Sequence, residues 1–194
     1  MKRFLLFAFL FLVSISAWSQ ATSYICAGES KTLSVTNPTG CTGTFTYLWT
    51  RPDATTVATQ TVSVTVAGVY TALVTCSTGC TLTYTHTVNI EDDPTSGITI
   101  NAVDGCVGSS QTISATGVPS GYTYSWNFGS GATPATSTTA STSVSYSTTG
   151  TKTITLTISK TFTGTGGGCG STCTWTKTKT INISQLTGGG TTCN

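Results

Sequence analysis

The sequence predicts an all-β protein: two β-sandwiches in tandem behind a cleaved signal peptide. Three observations predict it. Threonine supplies about a quarter of the 194 residues, and β-branched side chains favour extended backbone. Apolar and polar residues alternate with period two in several runs, the mark of strands with one buried face. Finally, one set of motifs is written twice along the chain.

The N-terminus, MKRFLLFAFLFLVSISAWSQ, has Lys2 and Arg3, an apolar run from Phe4 to Val13, and small polar residues up to Ala17-Trp18-Ser19. This is the layout of a secretory signal peptide over 1–19. The apolar run falls short of the roughly 20 residues a membrane span takes, so the mature chain is expected to be exported with no transmembrane helix. Its charges then balance. Lys31, Arg51, Lys152, Lys160, Lys177 and Lys179 stand against Glu29, Asp53, Glu91, Asp92, Asp93 and Asp104. Only 7% of residues are charged, against about 25% in ordinary globular chains. No basic stripe exists for a nucleic-acid backbone.

In the repeat, Cys26-Ala-Gly28 answers to Cys106-Val-Gly108, Thr46-Tyr-Leu-Trp49 to Thr123-Tyr-Ser-Trp126, and CTLTYTHTVNI from Cys80 to CTWTKTKTINI from Cys173. This places one sandwich at 20–91 and the other at 98–184. The acidic stretch 92–97 links them, and a Gly/Thr-rich tail follows at 185–194. In TVSVTV, Val62, Val64 and Val66 are expected inward. In KTITLTIS the inward set is Ile154, Leu156 and Ile158. The last strand of copy one puts Leu82, Tyr84, His86, Val88 and Ile90 on one face; copy two puts Trp175, Lys177, Lys179 and Ile181 there.

Tyr124-Ser-Trp126-Asn-Phe128-Gly129-Ser-Gly131, with Gly150-Thr-Lys-Thr-Ile154-Thr-Leu156-Thr-Ile158 after it, resembles the PKD domain, an Ig-like β-sandwich. The resemblance covers about residues 96 to 184. In copy one, Cys26-x-Gly28, Tyr47-Leu-Trp49 and Gly68-Val-Tyr70-Thr71 resemble Ig-like repeats of secreted and surface proteins from Bacteroidetes-type bacteria. The resemblance implies two Ig-like sandwiches with Trp49 and Trp126 between their sheets. Phe128 would close one end of the core, and Tyr70 would be either a tyrosine corner or plain packing. The family's two acidic loop positions are Asn127 and Ser130 here, and its tyrosine after Gly-Thr is Lys152. Without those carboxylates a calcium role loses its hard anionic ligands.

Eight cysteines in an exported chain point to disulfides. The alternative is zinc, since Cys76 and Cys80, and Cys169 and Cys173, share a three-residue gap; zinc knuckles are usually shorter. On the repeat, Cys26 and Cys106 are each expected to bridge to one member of their own copy's pair. Cys41 would take the other member in copy one and Cys193 the other in copy two, with the exact partners open.

Catalytic chemistry finds little support. His86 is the sole histidine, which excludes a multi-His metal site, and no G-x-S-x-G elbow occurs. The glycine-rich Thr163–Gly170 stretch lacks a phosphate loop's Gly-Lys ending and reads as a flexible hairpin tip. No cofactor is expected. Trp175, Lys177 and Lys179 are the candidate ligand contacts, as an exposed aromatic-basic strip; alternatively Trp175 joins the core and the lysines guard an edge strand. The resemblance implies a non-enzymatic module for adhesion or for extracellular protein or carbohydrate binding. The alternative is a structural spacer or surface-matrix subunit that self-associates through strand edges.

Overall fold

Sixteen strands and one 3₁₀ turn make up the fold in a computed structural model that describes residues 18–185. The expected signal peptide up to Ala17, the tail from Leu186 and Cys193 lie outside the described residues. Contacts divide the chain into two units. One is built on Gly28–Asn89 with the chain as far as Ser23 and Gly164–Cys169; the other takes Tyr24–Ala27, Ile90–Thr163 and the chain from Gly170.

The first unit uses β1 (Trp18–Cys26), β2 (Lys31–Ser34), β3 (Phe45–Thr50), β4 (Thr56–Val57), β5 (Thr61–Val64), β6 (Gly68–Cys76) and β7 (Thr81–Glu91). One sheet runs β1-β7-β6-β3-β4, and β2 pairs with β5 in the other. The alternation seen in sequence sets the inner faces. Val62 and Val64 on β5 are buried, as are Tyr70, Ala72 and Val74 on β6. Trp49 lies opposite Ala72 and is wholly buried. Val66 breaks the pattern: β5 ends at Val64, and Val66 lies in the open.

The glycine-rich stretch is packed, not a free tip. Thr165 exchanges backbone hydrogen bonds with Thr22 of β1 at 2.9 and 3.1 Å, and the Cys169 N–H donates to Ser23 Oγ at 3.1 Å. A Cβ at Gly166 would collide with the Gln20 carbonyl, and one at Gly168 with that of Thr22. The glycines therefore permit backbone to lie on backbone along the outer side of β1.

The second unit follows a 3₁₀ turn at Pro94–Gly97, capped by Asp93. Its strands are β8 (Thr99–Asn101), β9 (Gly105–Cys106), β10 (Ser110–Thr116), β11 (Thr123–Asn127), β12 (Ala132–Thr133), β13 (Thr136–Ser137), β14 (Ser141–Tyr146), β15 (Gly150–Phe162) and β16 (Ser171–Ser184). They form two sheets, β12-β14-β10-β8 and β13-β11-β15-β16-β9. β9 pairs with β16 in parallel and all other pairs in these two sheets are antiparallel. This is the Ig-like arrangement, an opening segment divided between the edges of both sheets.

Ile154, Leu156 and Ile158 of β15 face a core with Ile113, Val144, Ile181 and Ile183. Trp126 is 1% exposed, and its indole N–H donates to Thr139 O at 2.9 Å. Phe128 stacks on it at 5.7 Å, and Tyr146 ties the turn by donating to Phe128 O at 2.9 Å. Gly129, with φ +85°, sits where a Cβ would press on Thr153 O at 2.9 Å.

The cysteine scheme read from the repeat is corrected here. Cys26 bridges to Cys173, with Cα atoms 5.4 Å apart, and not to its own copy's pair. The reason is grouping: Tyr24–Ala27 cluster with the second unit, where Tyr24 stacks on Phe162 at 5.1 Å. Cys106 is also disulfide-bonded. Cys41, Cys76, Cys80 and Cys169 carry free thiols, where bridges were expected.

Candidate functional site

A concavity of about 340 Å³ opens on the first unit, lined by Arg51, Pro52, Asp53, Ser63, Thr65, Val66 and Tyr70. Its floor is built by two local devices. After β3 the chain turns tightly: the Ala54 N–H donates to Arg51 O at 3.0 Å and the Arg51 N–H to Thr55 O at 2.9 Å. Asp53 braces the turn by accepting from Thr55 N at 3.0 Å and from Thr55 Oγ1 at 2.7 Å. Those bonds hold its carboxyl below the usual range. Across from the turn, Tyr70 donates to Val66 O at 2.9 Å, the bond of a tyrosine corner. Burial pushes its hydroxyl pKa up. Gly68, at φ +142°, leaves room for the Pro52 ring, which a Cβ would strike at 2.6 Å.

The concavity thus joins a guanidinium, a fixed carboxylate and the side chains of Ser63 and Thr65 to an exposed apolar edge. Val66, which forms that edge, is 60% exposed. Arg51 offers a planar fork of donors suited to carboxylate or sugar oxygens, and its Nη1 reaches Thr55 Oγ1 at 3.4 Å. Few polar groups beside an apolar wall, in a volume near the lower end for ligand clefts, fit a small epitope.

The residues singled out from sequence lie elsewhere. β16 pairs with β9 only at Ile183 and Ser184, so Lys177 and Lys179 lie where β15 is its one strand partner among the described residues. Lys177 Nζ donates to Thr95 O at 2.9 Å and Lys179 Nζ to Ile100 O at 3.3 Å. Trp175 is half-buried, 5.9 Å from the Tyr122 ring. The two lysine heads are engaged within the unit and do not form a free aromatic-basic strip with Trp175. Tyr122 in turn donates to Glu91 Oε1 at 2.6 Å, while Lys160 lies 3.8 Å from the same oxygen and over the Tyr122 and Phe162 rings at 5.3 and 4.8 Å. Burial, then the Glu91 carboxylate, push the Tyr122 pKa up.

The loop at Asn127 does not fit calcium. Asn127 Oδ1 already accepts from the Gly129 N–H at 2.9 Å, and among the described residues no three His, Cys, Asp or Glu side chains converge as metal ligands. His86 stands edge-on to Trp49, ring centroids 6.3 Å apart. Burial lowers its pKa, so the ring is held neutral. Neither His86 Nδ1 nor Trp49 Nε1 has a protein partner.

Sequence reasoning missed the Arg51 concavity, the Glu91–Tyr122–Lys160 cluster and buried Lys152. The last did leave a signal: Lys152 is in phase with Ile154, Leu156 and Ile158. It is 3% exposed, donates to Thr148 Oγ1 at 2.8 Å and lies 5.9 Å over the Tyr146 ring.

No protein-family model and no curated protein matches the chain. Among solved structures it is similar to murine CEACAM1b, at 11% identity and TM-score 0.37 over 86% of this chain and 99% of that one. It is similar to Dpr11 IG1 bound to DIP-gamma IG+IG2, at 14% and 0.32 over 87% and 96%. A 1.5-MDa bacterial ice-binding adhesin gives 18% and 0.37 over 85% and 64%. At TM-scores this low the Ig-like assignment rests on the chain's own strand order. No helix of the described residues is long and apolar enough to cross a membrane.

Proposed function

We propose that the chain is an exported recognition module: two Ig-like sandwiches, the second of the PKD type, that engage a protein or glycan outside the cell through the Arg51 concavity. The observation that carries this reading is the concavity itself, where a guanidinium and the Ser63 and Thr65 side chains flank exposed Val66. The Cys26–Cys173 bridge supports an oxidising compartment, in keeping with the signal-like N-terminus. The setting of His86, whose ring is packed on Trp49, supports a non-enzymatic role.

Self-assembly through strand edges has less to build on. The outer strands β4, β9, β12 and β13 are two residues long and β8 three, and short edges resist pairing. β1 is bridged at Thr22 by Thr165. The four-residue β2 and β5 are left, with the outer side of β16 before Ile183, where Lys177 and Lys179 bond to Thr95 O and Ile100 O.

The test is a screen of the full chain against immobilised glycans and surface proteins. Binding is expected, with at least about a tenfold loss in Arg51→Ala, as for an interface anchor. Binding unchanged in Arg51→Ala, or concentration-dependent fibres without any ligand, would refute the reading.

A further inference from the structure

Three thiols of the first unit meet at one place. Cys76 ends β6 and Cys80 immediately precedes β7. The pair closes a hairpin, with the Cys76 N–H donating to Cys80 O at 2.8 Å and the Gly79 N–H to Cys76 O at 2.9 Å. The segment carrying Cys41 is docked on that hairpin. The Ser77 N–H donates to Thr44 O at 2.9 Å and the Thr44 N–H to Ser77 Oγ at 3.2 Å. Gly43, at φ +112°, packs where a Cβ would overlap Ser77 Oγ. The Cys41 side chain neighbours those of Cys80 and Cys76, and the Cys76 thiol bonds to the carbonyl of adjacent Thr42 at 3.1 Å.

We propose that Cys41 and Cys80 form a redox-closing pair, and that Cys76 is the third thiol left out of it. Accessibility decides the partners. Cys80 is exposed and Cys41 half-buried, whereas Cys76 is buried. The Cys76 thiol is also held inward, donating to Thr42 O at 3.1 Å with Thr78 Oγ1 at 3.1 Å. The trio is not arranged as a metal site.

The oxidant is a disulfide, either a small one or that of a disulfide-donating protein. The Cys80 thiolate attacks it, forming a mixed disulfide and releasing one thiolate. Cys41 sulfur then attacks Cys80 Sγ, the mixed bond breaks and the second thiolate leaves. Two protein thiols are oxidised and one disulfide is reduced to two thiols. The Cys41 proton passes to the departing thiolate, since the Cys76 thiol keeps its own proton on Thr42 O. Closure ties the segment before β3 to the β6–β7 hairpin.

The test treats the full chain, in a Cys169→Ser background, with oxidised glutathione. Free thiols are tagged after unfolding, and bridged ones with a second tag after reduction. The expected result is closure without a glutathione adduct, Cys41 and Cys80 carrying the second tag and Cys76 the first. In a Cys41→Ser variant, Cys80 is expected to stay as the glutathione adduct. A bridge that uses Cys76, or adducts that persist on Cys41 and Cys80 with Cys41 present, would overturn the proposal.

Discussion

His86 packs edge-on against the indole of Trp49, and this burial makes one residue sensitive to pH. Its folded pKa lies below the unfolded value of about 6.5. As pH falls, the unfolded chain therefore takes up the proton first. Stability is full above about pH 6.5, declines as pH falls through the folded pKa and then levels. Denaturant midpoints measured between about pH 7.5 and 5 should fall on the acid side, and His86→Phe should flatten that slope. A second residue-scale outcome concerns Tyr70. Tyr70→Phe leaves Val66 O without its donor, so unfolding free energy should drop by about 1–2 kcal/mol.

Strand segments show how much a one-dimensional reading can carry. Period-two alternation placed Val62, Val64, Ile154, Leu156 and Ile158 because a strand's side chains obey a local rule. The same rule failed at Val66, where β5 had already ended, since a strand's end depends on pairing with β2. The Arg51 concavity was not legible for a similar reason: its walls come from segments that only folding brings together. The glycine-rich stretch misled because glycine marks both free loops and tight backbone approach, and nothing local distinguishes them. Gly168→Ala should therefore force Thr165–Cys169 off β1. Hydrogen exchange at the Thr22 amide, bonded to Thr165 O, should rise at least about tenfold, with β11–β15 amides unchanged.

Across the whole molecule, the two sequence copies and the two contact units are not the same division. The repeat suggested that cysteines pair within each copy; the Cys26–Cys173 bridge instead spans 147 residues of sequence. Closing a loop this long constrains the unfolded chain strongly. The double variant Cys26→Ser/Cys173→Ser should destabilise the second unit by about 2–4 kcal/mol, read by denaturant unfolding.

The claim that the chain recognises a partner at the Arg51 concavity is tested most directly by nuclear magnetic resonance. A labelled chain would be titrated with the glycan or protein segment that the binding screen selects. Amide shifts should concentrate on Arg51, Asp53, Thr65 and Val66. Shifts that concentrate instead on β16 or the 127–131 turn would contradict the account.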